Sequence, residues 1–263
     1  MRAWIVVLSA LGLLIGADPA MADRRMALVM GNSAYKNMTP LANAAGDARA
    51  MAELLRKAGF AVTESIDATQ EQTTAQLVAF RKSAGEADVA LVYYAGHAIT
   101  IDGVHFLLPV DAGLKPGKDV DLGRGIELDA DHTIGGAAVR VILLDASRDN
   151  PLKNVSGATS EKSRALMTLP PDTRTPRGVL VGYATGPGQT ASDGKKGGHR
   201  PYAKALLDNI AKPGVELQQA MRMVRDQVNR ETNKSQLPWG HSALVGEVYL
   251  DPAPEAPDAS KKK

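Results

Sequence analysis

The feature that most narrows the fold is Val139–Asn150, VRVILLDASRDN, an unbroken apolar run that stops abruptly at Asp145-Ala146-Ser147-Arg148-Asp149. Valine, isoleucine and leucine in series suit a strand buried on both faces, as in a parallel sheet covered by helices. In such sheets ligands and chemistry sit beyond the carboxyl ends of the strands. Ser147 lies just past that end. A second run behaves the same way, with Asp88–Tyr94 (DVALVYY) leading into Ala95-Gly96-His97-Ala98. Two buried strands are thus expected to bring one reactive side chain each, His97 and Ser147, to the same edge of a sheet.

The segments around them alternate between strand and helix patterns. Arg25–Met30 reads as a first strand ended by the turn Gly31-Asn32-Ser33, and Phe60–Ile66 as a second. Leu41–Ala58 has apolar residues at helical spacing (Ala48, Met51, Ala52, Leu55) and Gly59 as a stop. Ala68–Ala84 is a second helix with Leu77, Val78 and Phe80 as its expected buried side. Asp102-Gly103, set between apolar residues, is a strong hairpin signal. Asp119–Gly136 is polar and interrupted by glycine, and reads as a partly helical crossover. Gly178–Ala184 is a further strand and Thr185–Arg200 a glycine-rich loop. Pro201–Ile210 and Val215–Thr232 are helices, and Ala243–Leu250 is expected to be the last strand. This alternation predicts an α/β fold with a parallel sheet and right-handed crossovers.

Composition removes several classes of function. Among 263 residues, 31 Lys+Arg stand against 29 Asp+Glu, a near balance that gives no electrostatic footprint for nucleic acid. Cysteine is absent, so disulfides, a thiolate nucleophile and thiolate metal sites are excluded. His105, His132, His199 and His241 are scattered without the i, i+4 spacing of a zinc peptidase, and the carboxylates are too dispersed for a calcium site. No metal or cofactor is expected. Gly31-Asn32-Ser33 is not embedded in G-x-G-x-x-G, so no dinucleotide site is expected either.

The first 22 residues read as a signal peptide. Arg2 precedes the apolar run Ala3–Ile15, and Ala20-Met21-Ala22 fits a small-x-small cleavage site, leaving Asp23 as the new terminus. The run is short for a membrane span, which needs about 18 apolar residues. The expected organisation is a signal peptide over 1–22, one domain over 23–250, and a disordered Pro/Ala-rich tail over 251–263. Residence in a periplasm or outside the cell follows, with no stable membrane span after cleavage.

The ordered set ALVMGNSAY (27–35), Leu41–Ala50, YYAGHA (93–98), FLLPVDA (106–112), LLDASRDNP (143–151) and GVLVGYATGPGQTASDG (178–194) resembles bacterial caspase-like proteins, relatives of the caspases and metacaspases sometimes called orthocaspases. The resemblance covers roughly 25–250. It implies a caspase-like three-layer sandwich, a mostly parallel six-stranded sheet with helices on both faces. It also implies a His–Cys dyad that cuts peptide bonds, and so a peptide or protein as substrate or ligand.

In that family the histidine of Y-A-G-H-G pairs with the cysteine of D-A-C-R-D-N. His97 matches the histidine, but Ser147 stands in the cysteine's place. Ala98 replaces the glycine whose N–H resembles one arm of an oxyanion hole, the other arm belonging to the nucleophile position. Asp145 matches the metacaspase acid that receives an Arg or Lys side chain, the alternative being a cap for nearby backbone N–H groups. Asp193 lies where the family often has another pocket acid, the alternative being a turn residue.

These departures bear directly on the chemistry. A cysteine, with a pKa of about 8.5, is readily made a thiolate beside a histidine. A serine must lose its proton to a base as it attacks, and that base is normally oriented by a third polar group. The expectation is a catalytically impaired pseudopeptidase that keeps a groove for Arg/Lys peptide segments. The alternative is an active endopeptidase cleaving after Arg or Lys, with Ser147 as nucleophile and His97 as general base. Pro151–Arg177 has no clear period and lies where caspases are cut between subunits, so it reads as either a processed loop or a solvated one. Trp239 is read as lining the groove or as core.

Overall fold

A computed structural model describes residues 23–101, 104–113, 125–128, 133–146, 178–187 and 189–251. Residues 1–22, expected to be a signal peptide, and Ser147, 151–177 and 252–263 lie outside the described residues. Five parallel strands form the body of the main sheet: β1 (Arg25–Gly31), β2 (Ala61–Ile66), β3 (Val89–Ala95), β7 (Val139–Asp145) and β8 (Val179–Tyr183). A sixth, β9 (Trp239–Ser242), runs antiparallel beside β8, giving the order β2-β1-β3-β7-β8-β9. Every residue of β3 and β7 is buried, the consequence of covering both faces of a central parallel strand. The edge strand β2 instead alternates in exposure.

Side-chain alternation splits the core into two layers. Ala27, Val29, Leu91, Tyr93, Val141 and Leu143 face one side, where they meet helices α1 (Ala44–Lys57), α3 (Pro201–Asn209) and α4 (Leu217–Glu231). Leu28, Met30, Val92, Tyr94, Ile142 and Leu144 face the other, against α2 (Gln70–Ala84). Helices on both faces of a six-stranded sheet make the expected three-layer α/β sandwich. Helix α1 lies close on the end of β1: a Cβ at Gly31 would sit 2.5 Å from that of Ala48. Helix α2 starts with a capping box in which Thr69 and Gln72 satisfy each other's backbone N–H groups.

A small antiparallel sheet, β4 (Ala98–Ile101), β5 (Val104–Leu107) and β6 (Ile126–Leu128), grows directly out of the site. Ile101 pairs with Val104, so β4 and β5 form an antiparallel pair; Asp102 and Gly103, where the hairpin signal falls, lie outside the described residues. Three sequence expectations need correction. Ile126–Leu128, expected to belong to a partly helical crossover, is a strand. The last strand is Trp239–Ser242 rather than Ala243–Leu250, because β9 is an edge strand without apolar alternation. In 243–250 only Val248 and Leu250 are buried large apolar residues, and Val245 is 67% exposed. Finally, Val78 is 66% exposed: the buried stripe of α2 follows Thr73, Leu77, Phe80 and Ala84, and Val78 lies about 100° around the helix from Leu77.

Candidate active site

The register of the main sheet sets Ala95, the last residue of β3, beside Asp145, the last of β7. Gly96 and His97 therefore leave the sheet next to Ala146, and the Gly96 N–H points at the Asp145 carbonyl, 3.4 Å away. Ser147 is the next residue after Ala146, and its own placement lies outside the described residues.

His97 is held on three sides. Its Nε2 lies 2.8 Å from the Thr39 carbonyl oxygen, which can only accept, so Nε2 carries the proton and Nδ1 keeps its lone pair. Its backbone N–H donates to the Tyr35 hydroxyl at 2.7 Å, and its carbonyl accepts from the Tyr94 hydroxyl at 2.6 Å. The Tyr35 ring also packs against the imidazole, tilted by 55° at a centroid distance of 4.5 Å. Tyr35 in turn donates to the Leu108 carbonyl at 3.1 Å, which also accepts from Asn32 Nδ2. Burial pushes the Tyr35 hydroxyl up to about 12, so it remains a donor across the working pH range. A side chain at Gly96 would collide with the hydroxyls of Tyr94 and Tyr35, which explains why glycine precedes the histidine.

The loop carrying Tyr35 and Thr39 is anchored from β2. Asp67, in the left-handed region at φ 51°, receives the N–H groups of Ser33 and Ala34 on one carboxylate oxygen at 2.6 and 2.8 Å. Ala98 opens β4 opposite Leu107. Among the described residues the non-glycine positions with positive φ are Asp67, Asn233 and Lys234, so alanine is accommodated at 98 without backbone strain.

Asp145 and Asp193 converge, and what they hold is Arg200. The Arg200 Nη1 donates to the Asp145 carbonyl and lies 3.5 Å from Asp145 Oδ1, while Nε donates to Asp193 Oδ1 at 2.9 Å. The second oxygen of Asp193 accepts the Ala42 N–H at 2.8 Å. Arg200 itself precedes Pro201 at the start of α3, and its side chain is only 3% exposed. Its backbone N–H, 3.3 Å from Asp47, points at a buried carboxylate that also binds His199 Nδ1 at 2.6 Å.

Burial raises Asp145 to about 6, against the opposing pull of Arg200, whose closest contact is to the main-chain carbonyl rather than the carboxylate. Burial also lowers His97, with the Thr39 carbonyl opposing that shift and the Arg200 charge adding to it, so the imidazole is neutral at neutral pH. Trp239 sits opposite Tyr183 at the carboxyl end of β8, on the same sheet edge as His97, and is 40% exposed rather than packed in the core. Among the described residues no group of three or more His, Asp or Glu is gathered as metal ligands would be. Nor is any described helix long and apolar enough to cross a membrane.

A family profile for the caspase domain matches residues 24–249. The chain belongs to the caspase-domain family. Its fold is similar to that of caspase-1 from Spodoptera frugiperda, with a TM-score of 0.62 over 89% of this chain and 92% of that one, at 17% identity. A 95-residue stretch is 30% identical to the human mucosa-associated lymphoid tissue lymphoma translocation protein 1. That stretch spans 36% of this chain and 12% of the human protein.

Sequence reasoning had missed Asp47, Arg200, Tyr35, Asn32 and Thr39. Asp47 lies in the first turn of α1 and Arg200 is one cation among 31, so neither stands out by residue type. The Thr39 contribution is a backbone carbonyl, which no side-chain signal marks.

Proposed function

We propose that this is an exported caspase-like protein that binds peptide segments in a groove beside His97 and hydrolyses them weakly or not at all. The observation carrying this reading is that His97 is oriented by the Thr39 carbonyl, and among the described residues no carboxylate is hydrogen-bonded to its ring. A neutral carbonyl fixes the tautomer but cannot offset the charge of the imidazolium that forms when a serine gives up its proton. A cysteine would need that help less, because its thiolate forms far more readily. A latent preference for Arg or Lys belongs to the same proposal and rests on Asp145 and Asp193, two acids that already face the guanidinium of Arg200. Localisation in a periplasm or outside the cell rests on residues 1–22.

A second reading, an endopeptidase cleaving after Arg or Lys, is favoured by the neutral His97, whose Nδ1 keeps the lone pair that a general base needs. Cleavage of Arg- and Lys-ended fluorogenic peptides by the protein, by Ser147→Ala and by Ser147→Cys separates the two. Turnover by Ser147→Cys alone supports the first. Turnover by the natural protein that vanishes in Ser147→Ala establishes the second.

A further inference from the structure

The two acids that would receive a basic side chain are already occupied from within the chain. Arg200 reaches them from the N-cap of α3, with Nε on Asp193 and Nη1 on the end of β7, and is almost completely buried there. The loop 193–200 is tied down independently of this contact. Asn43 Nδ2 donates to the carbonyls of Asp193 and Lys195 at 2.5 and 2.9 Å, and Asn43 Oδ1 accepts from the Gly197 N–H. Asp47 holds His199 and the Arg200 backbone. The arginine is thus presented by a braced loop, and its charge disfavours protonation of His97. Burying an arginine demands compensating carboxylates. A second guanidinium would have to compete with it for Asp193 Oδ1 and the end of β7.

We propose that Arg200 is a resident occupant of the guanidinium site made by Asp145 and Asp193, and that it sets the specificity of the peptide groove by excluding basic side chains until it is displaced. The inference rests on the groove reading above. An intramolecular competitor acts at high effective concentration, so the apparent affinity for a basic side chain is reduced by the fraction of chains in which Arg200 has left. Arg200 is therefore the residue that separates a latent basic specificity from an expressed one.

The test compares two fluorescent hexapeptides that differ at one position, arginine or the isosteric neutral citrulline, binding to Ser147→Ala and to Ser147→Ala/Arg200→Ser by anisotropy. The expected result is near-equal affinity for the two peptides when Arg200 is present. On its removal the arginine peptide gains about tenfold, and a further Asp193→Asn cancels that gain. Because Arg200→Ser leaves Asp145 without its cation, Arg200→Ser/Asp145→Asn is measured beside it. That variant leaves no buried unpaired carboxylate at 145 and should keep about a threefold preference through Asp193. Thermal unfolding of the Arg200→Ser protein with millimolar N-ethylguanidinium reads the site without any peptide and should show a rise in Tm that the Arg200 protein lacks.

Tenfold discrimination with Arg200 in place would overturn exclusion while leaving basic selectivity standing. Peptide binding without discrimination in any variant would overturn both. Guanidinium rescue without any peptide binding would preserve the cation site, remove the groove, and so overturn this inference with the reading beneath it.

Discussion

Asp145 makes stability depend on pH in a direction opposite to that of a salt-bridged surface acid. Its carboxyl moves from an ordinary 3.8 to about 6 because it is fully buried, which outweighs an Arg200 Nη1 that lies 3.5 Å from Oδ1. Between those two values the native carboxyl still holds its proton while the unfolded one has released it. Each rise in pH through that window therefore favours the unfolded chain. At about 1.4 kcal/mol per tenfold, the displacement corresponds to roughly 3 kcal/mol lost between pH 4 and pH 7.

Asp145→Asn keeps the shape and the acceptor oxygen but cannot titrate. The variant should gain about 3 kcal/mol on the natural protein between pH 4 and pH 7 by urea unfolding. In thermal unfolding the gap should widen by about 6–12 °C over the same range. Asp47 is also raised by burial and His97 is lowered, giving slopes of opposite sign, but both residues are present in both proteins and cancel in the difference to first order. A difference that stays constant from pH 4 to pH 7, or one that favours the natural protein as pH rises, would refute the reasoning. It would mean that Arg200, not burial, controls the carboxyl.

Two further substitutions test the support of the site. Gly96→Ala forces a methyl group to within 2.7 Å of the Tyr35 hydroxyl, so it should destabilise the fold by about 1–3 kcal/mol. In a Ser147→Cys enzyme that cleaves peptides it should also lower kcat, since Tyr35 and Tyr94 together fix the His97 backbone. Gly31→Ala meets the Ala48 Cβ at 2.5 Å and should cost a similar ~1–3 kcal/mol by urea unfolding, yet leave the NMR titration of His97 unchanged, because the clash lies between α1 and β1.

The strands that carry the site were legible because burial on both faces leaves a continuous apolar run, and β3 and β7 both have one. That logic fails at the sheet edge: β9 reads WGHS, with little apolar surface to mark it, while the apolar letters of 243–250 drew the assignment downstream. His97 was legible as the reactive residue at a strand end. Its orienting partner was not, because a carbonyl oxygen is common to all residues and only tertiary folding brings Thr39 within 2.8 Å. Asp145 and Asp193 were legible as acids near the cleft. Their partner lies 55 and 7 residues away, and nothing local distinguishes an arginine that turns inward at the start of a helix from one that points to solvent.

The polar surroundings of His97 bear on which nucleophile this scaffold can serve. Its fixed contacts are a backbone carbonyl and two tyrosine hydroxyls, all neutral, and the Arg200 charge disfavours the imidazolium. A serine mechanism needs the imidazolium stabilised as the proton arrives, the role a buried carboxylate plays in a Ser-His-Asp triad. Among the described residues no carboxylate is hydrogen-bonded to the ring. Asp193 favours the imidazolium only through its charge, as the smallest of the influences on His97, and is committed to Arg200 and the Ala42 N–H, while Asp145 is buried against Arg200. Under the proposed reading, restoring hydrolysis through Ser147→Cys needs one substitution at the nucleophile. Making Ser147 an efficient nucleophile needs a carboxylate on the ring nitrogen that the main chain of Thr39 now holds.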